Sequence, residues 1–137
     1  MAKEDPLSNV PLFSRLSRRE LRRVAGVSKE AKFDEGAVVA EEGEDGLSFY
    51  VIMEGEAKVQ RRGRTVARLL PGDFFGEISL LDGGPRTATV VAATPLRTMS
   101  ILRWDFRSLL ERDPSLAPKI LKELARRLRQ IEHPVTA

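Results

Sequence analysis

The sequence predicts a mainly β protein with flanking helices: an eight-stranded β jelly roll, or double-stranded β-helix, with one helix before it and two after. Three observations predict it. Between Lys29 and Arg103 short β-branched and aromatic runs recur, separated by Gly, Asp and Pro. Seven or eight strands at that spacing suit an all-β sandwich or barrel. On either side the apolar period lengthens to that of a helix. The 137 residues, 42% of them hydrophobic, fit one globular domain spanning 1–137 with a core of its own.

The first helix is expected from Arg18 to Ala25. Ser17 and Glu20 make a capping box, Leu16 and Leu21 a hydrophobic staple, and Gly26 a stop. SFYVIM is an apolar strand ending at Glu54-Gly55. AKVQR alternates, with Ala57 and Val59 on one face and Lys58 and Gln60 on the other. Arg62-Gly63 turns the chain into RTVARLL. TATVVAA and TMSILR give two further strands, broken at Thr94-Pro95. After them WDFRSLLE is a short helix. Asp113 is placed to cap the last helix, with Pro114 in its first turn. Leu116, Ile120, Leu124, Leu128 and Ile131 share one face of that helix. Lys119, Lys122, Arg126 and Arg129 lie roughly opposite, and Glu123 and Arg127 form an i,i+4 pair.

Composition excludes several chemistries. There is no cysteine, so disulfides, thiolate metal sites and thiol catalysis are ruled out. The only histidine, His133, cannot build the metal cluster of a cupin-type enzyme. No apolar run is long enough to span a membrane, and a cytoplasmic protein is expected. The net charge of +3 is unevenly spread. Arg15, Arg18, Arg19, Arg22 and Arg23 cluster early. Lys119, Lys122, Arg126, Arg127 and Arg129 cluster late. Basic helices of this kind either are solvated faces or attract nucleic acid or anionic lipid. They lack interleaved aromatics, so no direct nucleic-acid binding is expected.

The segment FFGEISLLDGGPRTATV, residues 74–90, concentrates the remaining chemistry. GEISLL reads as one or two helical turns starting near Gly76, whose free N–H groups favour an anion. Gly76 lets a ligand approach the backbone. Asp82-Gly83-Gly84-Pro85 turns the chain into Arg86, whose guanidinium can fork onto phosphate oxygens. Glu77 can accept a hydrogen bond from a sugar hydroxyl. Spacing alone equally admits a structural ion pair between Glu77 and Arg86.

The whole string is more specific than its spacing. Gly76, Glu77, a short apolar turn, then Pro85, Arg86, a small residue and Ala88 resemble the phosphate-binding cassette of the cyclic nucleotide-binding domain family. VPLFSRLSRREL resembles that family's N-terminal helical segment. GAVVAEEGEDGLSFYVIMEGEAKV resembles its early strands, with turns at Gly36, Gly43, Gly46 and Gly55. LRWDFRSLLERDP resembles the helix after the barrel. The resemblance covers about residues 10 to 130. It implies an N-terminal helical segment at about 10–28, a β-roll at 29–103 containing the cassette, and C-terminal helices acting as a lid at 104–132.

It also implies a site of Gly76, Glu77, Ile78, Ser79, Arg86, Thr87 and Ala88. Arg86 neutralises the cyclic phosphate, and Glu77 with the Gly76 backbone binds the ribose 2′-hydroxyl. Amides of Ser79, Thr87 and Ala88 complete the cradle. Family members commonly carry alanine where Ser79 stands, and its hydroxyl either contacts phosphate or faces solvent. A threonine at position 87 suits cyclic GMP and is tolerated by cyclic AMP binders, and cyclic AMP is the favoured expectation. Val66 and Phe74 are candidates for the base side. Arg126, Arg129, Leu124 and Leu128 are candidates for the lid.

The function so implied is a non-catalytic sensor of cyclic AMP or cyclic GMP. It needs no cofactor or metal and signals through its C-terminal helices to an effector partner or a second copy. No effector motif is recognised, and a helix-turn-helix after residue 131 is not expected. The rival readings are a degenerate jelly-roll interaction module and a basic-helix binder of nucleic acid or membrane surfaces.

Overall fold

Strands dominate the middle of the chain and helices its ends. The computed structural model describes residues 4–132, without the side chains of residues 4, 5, 78, 127, 131 and 132. Helix α1 (Glu4–Leu7) and a 3-10 turn (Pro11–Phe13) precede α2 (Arg18–Gly26). The strands are β1 (Ser28–Phe33), β2 (Val38–Ala40), β3 (Ser48–Glu54), β4 (Ala57–Arg61), β5 (Arg64–Leu69), β6 (Phe74–Phe75), β7 (Thr89–Ala92) and β8 (Leu96–Leu102). Helix α3 (Glu77–Asp82) interrupts them between β6 and β7. Helices α4 (Arg103–Arg112) and α5 (Leu116–Glu132) follow.

Two four-stranded antiparallel sheets form, ordered β1-β8-β3-β6 and β2-β7-β4-β5. Each sheet alternates strands from distant parts of the chain, which is the jelly-roll pattern the sequence predicts. Strand β3 reads as a nearly continuous apolar run because both its faces are covered. Phe49 and Val51 pack with the helices, against Phe13 and Phe106, while Ile52 faces the interior of the roll with Ala57, Val90 and Leu96. The Phe13 ring lies edge-on to Phe49 at 5.9 Å. At the β4–β5 hairpin, Arg62 and Gly63 both take positive φ between paired Arg61 and Arg64. That is the two-residue turn whose twist matches the flanking strands.

The capping box of α2 forms as expected. The Ser17 N–H donates to Glu20 Oε1 at 2.8 Å, and the Glu20 N–H donates to Ser17 Oγ at 3.2 Å. Gly26 closes α2 without a positive φ, so the stop does not use glycine's special freedom. Helix α5 starts at Leu116, after a turn at Pro114-Ser115. Asp113 still serves the junction. Its carboxylate accepts from the Ser115 hydroxyl at 2.7 Å and from Arg23, and its carbonyl accepts from the Leu116 N–H at 3.2 Å.

The expected apolar face of α5 is buried only in its first half. Leu116 and Ile120 are buried and Leu124 is partly so, but Leu128 is 54% exposed. Ile131 lies outside the described side chains. The helix leans on the 3-10 turn, and the group buried there is Glu123, only 2% exposed. Its carboxylate accepts from Arg126 at 3.0–3.1 Å (Nε), pairs with Arg15 Nε at 3.4 Å, and is held below its ordinary pKa chiefly by Arg126. The expected partner, Arg127, has no described side chain. A second bridge joins α2 to α5: Glu20 accepts from Lys119 Nζ at 2.5 Å and lies 2.7 Å from the Ser115 hydroxyl, whose one proton it shares with Asp113. Of the basic residues in the two segments, Arg15, Arg23, Lys119 and Arg126 are therefore engaged in ion pairs.

A candidate anion pocket beside the cassette

Strand β6 delivers the chain to Gly76, which takes φ +87 and opens α3. Few side chains tolerate that backbone, and here none would fit. A Cβ on Gly76 would meet Arg86 Nη1 and would stand 2.8 Å from the Ser48 carbonyl oxygen. Helix α3 ends at Gly83, also left-handed, and the chain turns back through Pro85 to Arg86.

A second segment clasps this turn from across the roll. Asp45 bridges to Pro85, and the Arg86 N–H donates to the Glu44 carbonyl at 2.7 Å. The Gly43 N–H donates to the Arg86 carbonyl at 2.9 Å, and the Gly46 N–H donates to the Gly84 carbonyl at 3.2 Å. A Cβ at Gly46 would collide with Ser79 and come within 3.3 Å of Arg86 Nε. Residues 43–48 thus hold the arginine by backbone contacts alone. Sequence reading assigned Gly43 and Gly46 to turns and missed this role, since carbonyls and amides leave no signature in residue type.

The guanidinium of Arg86 is half-buried. Its Nη2 donates to the Ser48 carbonyl, and its Nη1 is buried with no partner among the described residues. Burial lowers its pKa, and the nearby Tyr50 phenol acts weakly the other way. No ion pair joins it to Glu77, so the alternative of a structural pair does not hold. A desolvated cation with an unused N–H is an unstable arrangement unless an anion completes it.

Beside Arg86 lies a cavity of about 570 Å³. Gly76, Glu77, Ser79, Arg86, Thr87 and Ala88 all line it, so the structure brings six of the seven expected residues together. Ile78, the seventh, has no described side chain. Ser79 is 7% exposed and lines the cavity, so its hydroxyl does not face solvent. Phe74 lines the cavity as expected, but Val66 does not. The pairing explains the difference: Leu69, opposite Ala57, lines the cavity, whereas a bulge opposite Val59-Gln60 leaves Val66 unpaired and 54% exposed. Val59, Leu69 and Val90 supply the apolar wall instead, joined by Ala40 and by Arg61. None of Leu124, Arg126, Leu128 and Arg129 lines the cavity, and Arg126 is committed to Glu123.

Taken together, a jelly roll with a helical turn in its wall, a half-buried arginine with one N–H unpartnered among the described residues, and an adjacent cavity with one apolar side suit a small organic anion. The chain belongs to the cyclic nucleotide-binding domain family, whose model matches residues 30–113. It is 39% identical over 106 residues to a cAMP-dependent protein kinase regulatory subunit of Yarrowia lipolytica, covering 76% of this chain and 28% of that protein. The chain thus spans under a third of the length of such relatives. Among solved structures it resembles the N-terminal domain of a transcriptional regulator from Streptomyces coelicolor A3(2). The TM-score is 0.88 at 31% identity, with 97% of this chain and 99% of that one covered. It also resembles the regulatory subunit of a cAMP-independent protein kinase A from Trypanosoma brucei, a mutant bound to cAMP. There the TM-score is 0.73 at 31% identity, over 78% of this chain and 40% of that one.

Proposed function

We propose that this chain is a non-catalytic sensor module that binds a purine 3′,5′-cyclic monophosphate, with cyclic AMP as a ligand. One observation carries the reading: Arg86 lines the cavity, and its buried Nη1 has no hydrogen-bond partner among the described residues. A cyclic phosphate has one negative charge and several acceptor oxygens, which suit that group and the amides of Ser79, Thr87 and Ala88. Glu77 accepts from the ribose 2′-hydroxyl beside the Gly76 backbone. The base rests on Val59, Leu69, Phe74 and Val90. The name of the Yarrowia relative and the cAMP held by the trypanosomal mutant support the choice of ligand.

Binding is transmitted through α3 and α4. Arg103, the first residue of α4, donates to the Gly83 carbonyl at 3.2 Å, and α4 ends at Asp113 beside Arg23. The ligand shifts the C-terminal helices only by its differential affinity for the two arrangements. The signal passes to an effector partner or a second copy. No cofactor or metal takes part. Among the described residues no helix is long and apolar enough to cross a membrane, and we place the sensor in the cytoplasm.

Thermal unfolding with cyclic AMP, cyclic GMP, AMP and GMP tests the reading. The melting temperature should rise with at least one cyclic nucleotide and much less with its open-chain counterpart. No rise with either cyclic form overturns it. Salt-sensitive DNA binding in place of such a rise would favour the basic-helix alternative.

A further inference from the structure

A second, smaller cavity of about 300 Å³ shares Arg86 with the cassette cavity, and the sensor reading gives it no task. Large apolar side chains stand open to solvent along it: Val38 is 56% exposed and Leu47 46%. Leu102, opposite Ser48 in the β3–β8 ladder and so on the same sheet face, is 38% exposed. Tyr50 lines the groove too, its ring stacked on Phe75 with centroids 5.0 Å apart. The rim is acidic. Glu41, Glu44 and Asp45 line it, are exposed, and make no ion pair or side-chain hydrogen bond among the described residues. They belong to a stretch, residues 34–56, with eight acidic side chains and no basic one, in a chain of net charge +3. Three backbone bonds tie this loop to the cassette, through Gly43, Glu44 and Gly46. The groove is therefore formed in advance of any occupant, which lowers the ordering cost of binding.

Open apolar side chains rimmed by polar ones mark a surface for a partner, and the sign of the rim decides the partner's chemistry. Acidic segments, nucleic acid and anionic lipid are repelled here. A polypeptide with Lys or Arg beside apolar side chains matches both the rim and the groove. We propose that this groove docks a basic, amphipathic segment of a partner protein. Arg86 is the only basic residue lining the groove among the described residues, and it lines the cassette cavity as well. A cyclic phosphate on its guanidinium offsets that one opposing cation, so the basic segment docks more tightly when nucleotide is bound. By reciprocity the docked segment raises nucleotide affinity by the same factor. The coupling rests on the cyclic-nucleotide reading above; the docking does not.

The test is fluorescence anisotropy of the full chain with a short labelled peptide alternating lysine and leucine. Companion peptides exchange lysine for glutamate, or leucine for serine. The parent chain should bind the lysine–leucine peptide, less tightly as salt rises, and both companions more weakly. Glu41→Gln combined with Glu44→Gln should weaken that binding about fivefold, since two exposed charge pairs are lost. Leu47→Ser should weaken it by a similar factor. Glu111→Gln, which removes an exposed charge outside the groove, should change nothing. The proposal is overturned if the lysine–leucine peptide does not bind, if the lysine–serine peptide binds as well, or if Glu111→Gln matters as much as the groove variants. It is overturned too if the chain self-associates and Leu47→Ser abolishes this, for the groove then belongs to a second copy. Calorimetry with cyclic AMP on the same chain separates the two readings. Nucleotide that binds without tightening the peptide refutes the coupling, whereas nucleotide that does not bind overturns the sensor reading and leaves the docking in place.

Discussion

Replacing Arg86 with alanine separates two energies that a structural arginine would join. In the ligand-free chain the substitution removes one hydrogen bond, from Nη2 to the Ser48 carbonyl. A bond from a charged donor contributes about 1.5–3 kcal/mol. It also removes a half-buried cation whose Nη1 has no partner, and one such buried group costs about 1–3 kcal/mol. The two contributions are of opposite sign and similar size, so ligand-free stability should change by no more than about 2 kcal/mol. Binding behaves differently. Truncating one member of a buried hydrogen-bonded charge pair costs about 2–5 kcal/mol, or roughly 30-fold to several thousand-fold. A micromolar ligand has only about 8 kcal/mol in all. Urea unfolding without nucleotide and calorimetry with it read the two effects separately. The reasoning is refuted if Arg86→Ala binds cyclic nucleotide as tightly as the parent. It is equally refuted if the ligand-free variant loses more than about 3 kcal/mol, for then the arginine is holding the fold.

Gly76→Ala should lose both stability and binding. Its Cβ meets Arg86 at a left-handed backbone position that costs a non-glycine residue about 1–2 kcal/mol, and calorimetry should show at least a tenfold loss of affinity. Glu20 gives a pH-dependent prediction. Its pKa is lowered from 4.5 to about 2, chiefly by the Lys119 hydrogen bond and then by the Ser17 backbone. A depressed carboxylate contributes stability above its unfolded pKa and loses it as pH falls through the folded one. Glu20→Gln should therefore be less stable than the parent at neutral pH, and the gap in urea midpoint should close between about pH 4.5 and pH 2. A gap that does not vary with pH refutes the assignment. Glu123→Ala unties Arg15 and Arg126 from the buried end of α5. Amide hydrogen exchange should quicken within residues 116–130 while the strands keep their protection, and unchanged exchange there would show that the apolar contacts of Leu116 and Ile120 suffice.

What could be read from the chain, and what could not, divides along a physical line. Side-chain chemistry at local spacing was legible in the Ser17–Glu20 box and the hairpin at Arg62-Gly63, while the stretch from Gly76 to Ala88 stood out by its resemblance to a family and is gathered on one cavity. The box and the hairpin are short-range constraints on which residue types can occupy a backbone shape. Relations between segments distant in the chain were not legible. Glu123 looked like one half of a surface pair because helical periodicity reports only neighbours on its own helix. Its burial depends on the 3-10 turn and Arg15, more than a hundred positions earlier in sequence. Apolarity makes Val66 a candidate for the base side or the core, whereas a bulge in the β4–β5 pairing leaves it exposed. The grip on Arg86 shows the limit most plainly, because its holder is the Ser48 carbonyl, an atom that every residue carries. The sequence clue is negative: glycine at 46, where any side chain would strike Ser79. A glycine whose Cβ would collide with a distant element reports tertiary structure, and it becomes readable only once the two segments are known to meet. The arginine supplies the charge, but the backbone of residues 43–48 fixes where that charge points. Substitutions that reshape that loop should therefore impair binding even though none of them touches the nucleotide.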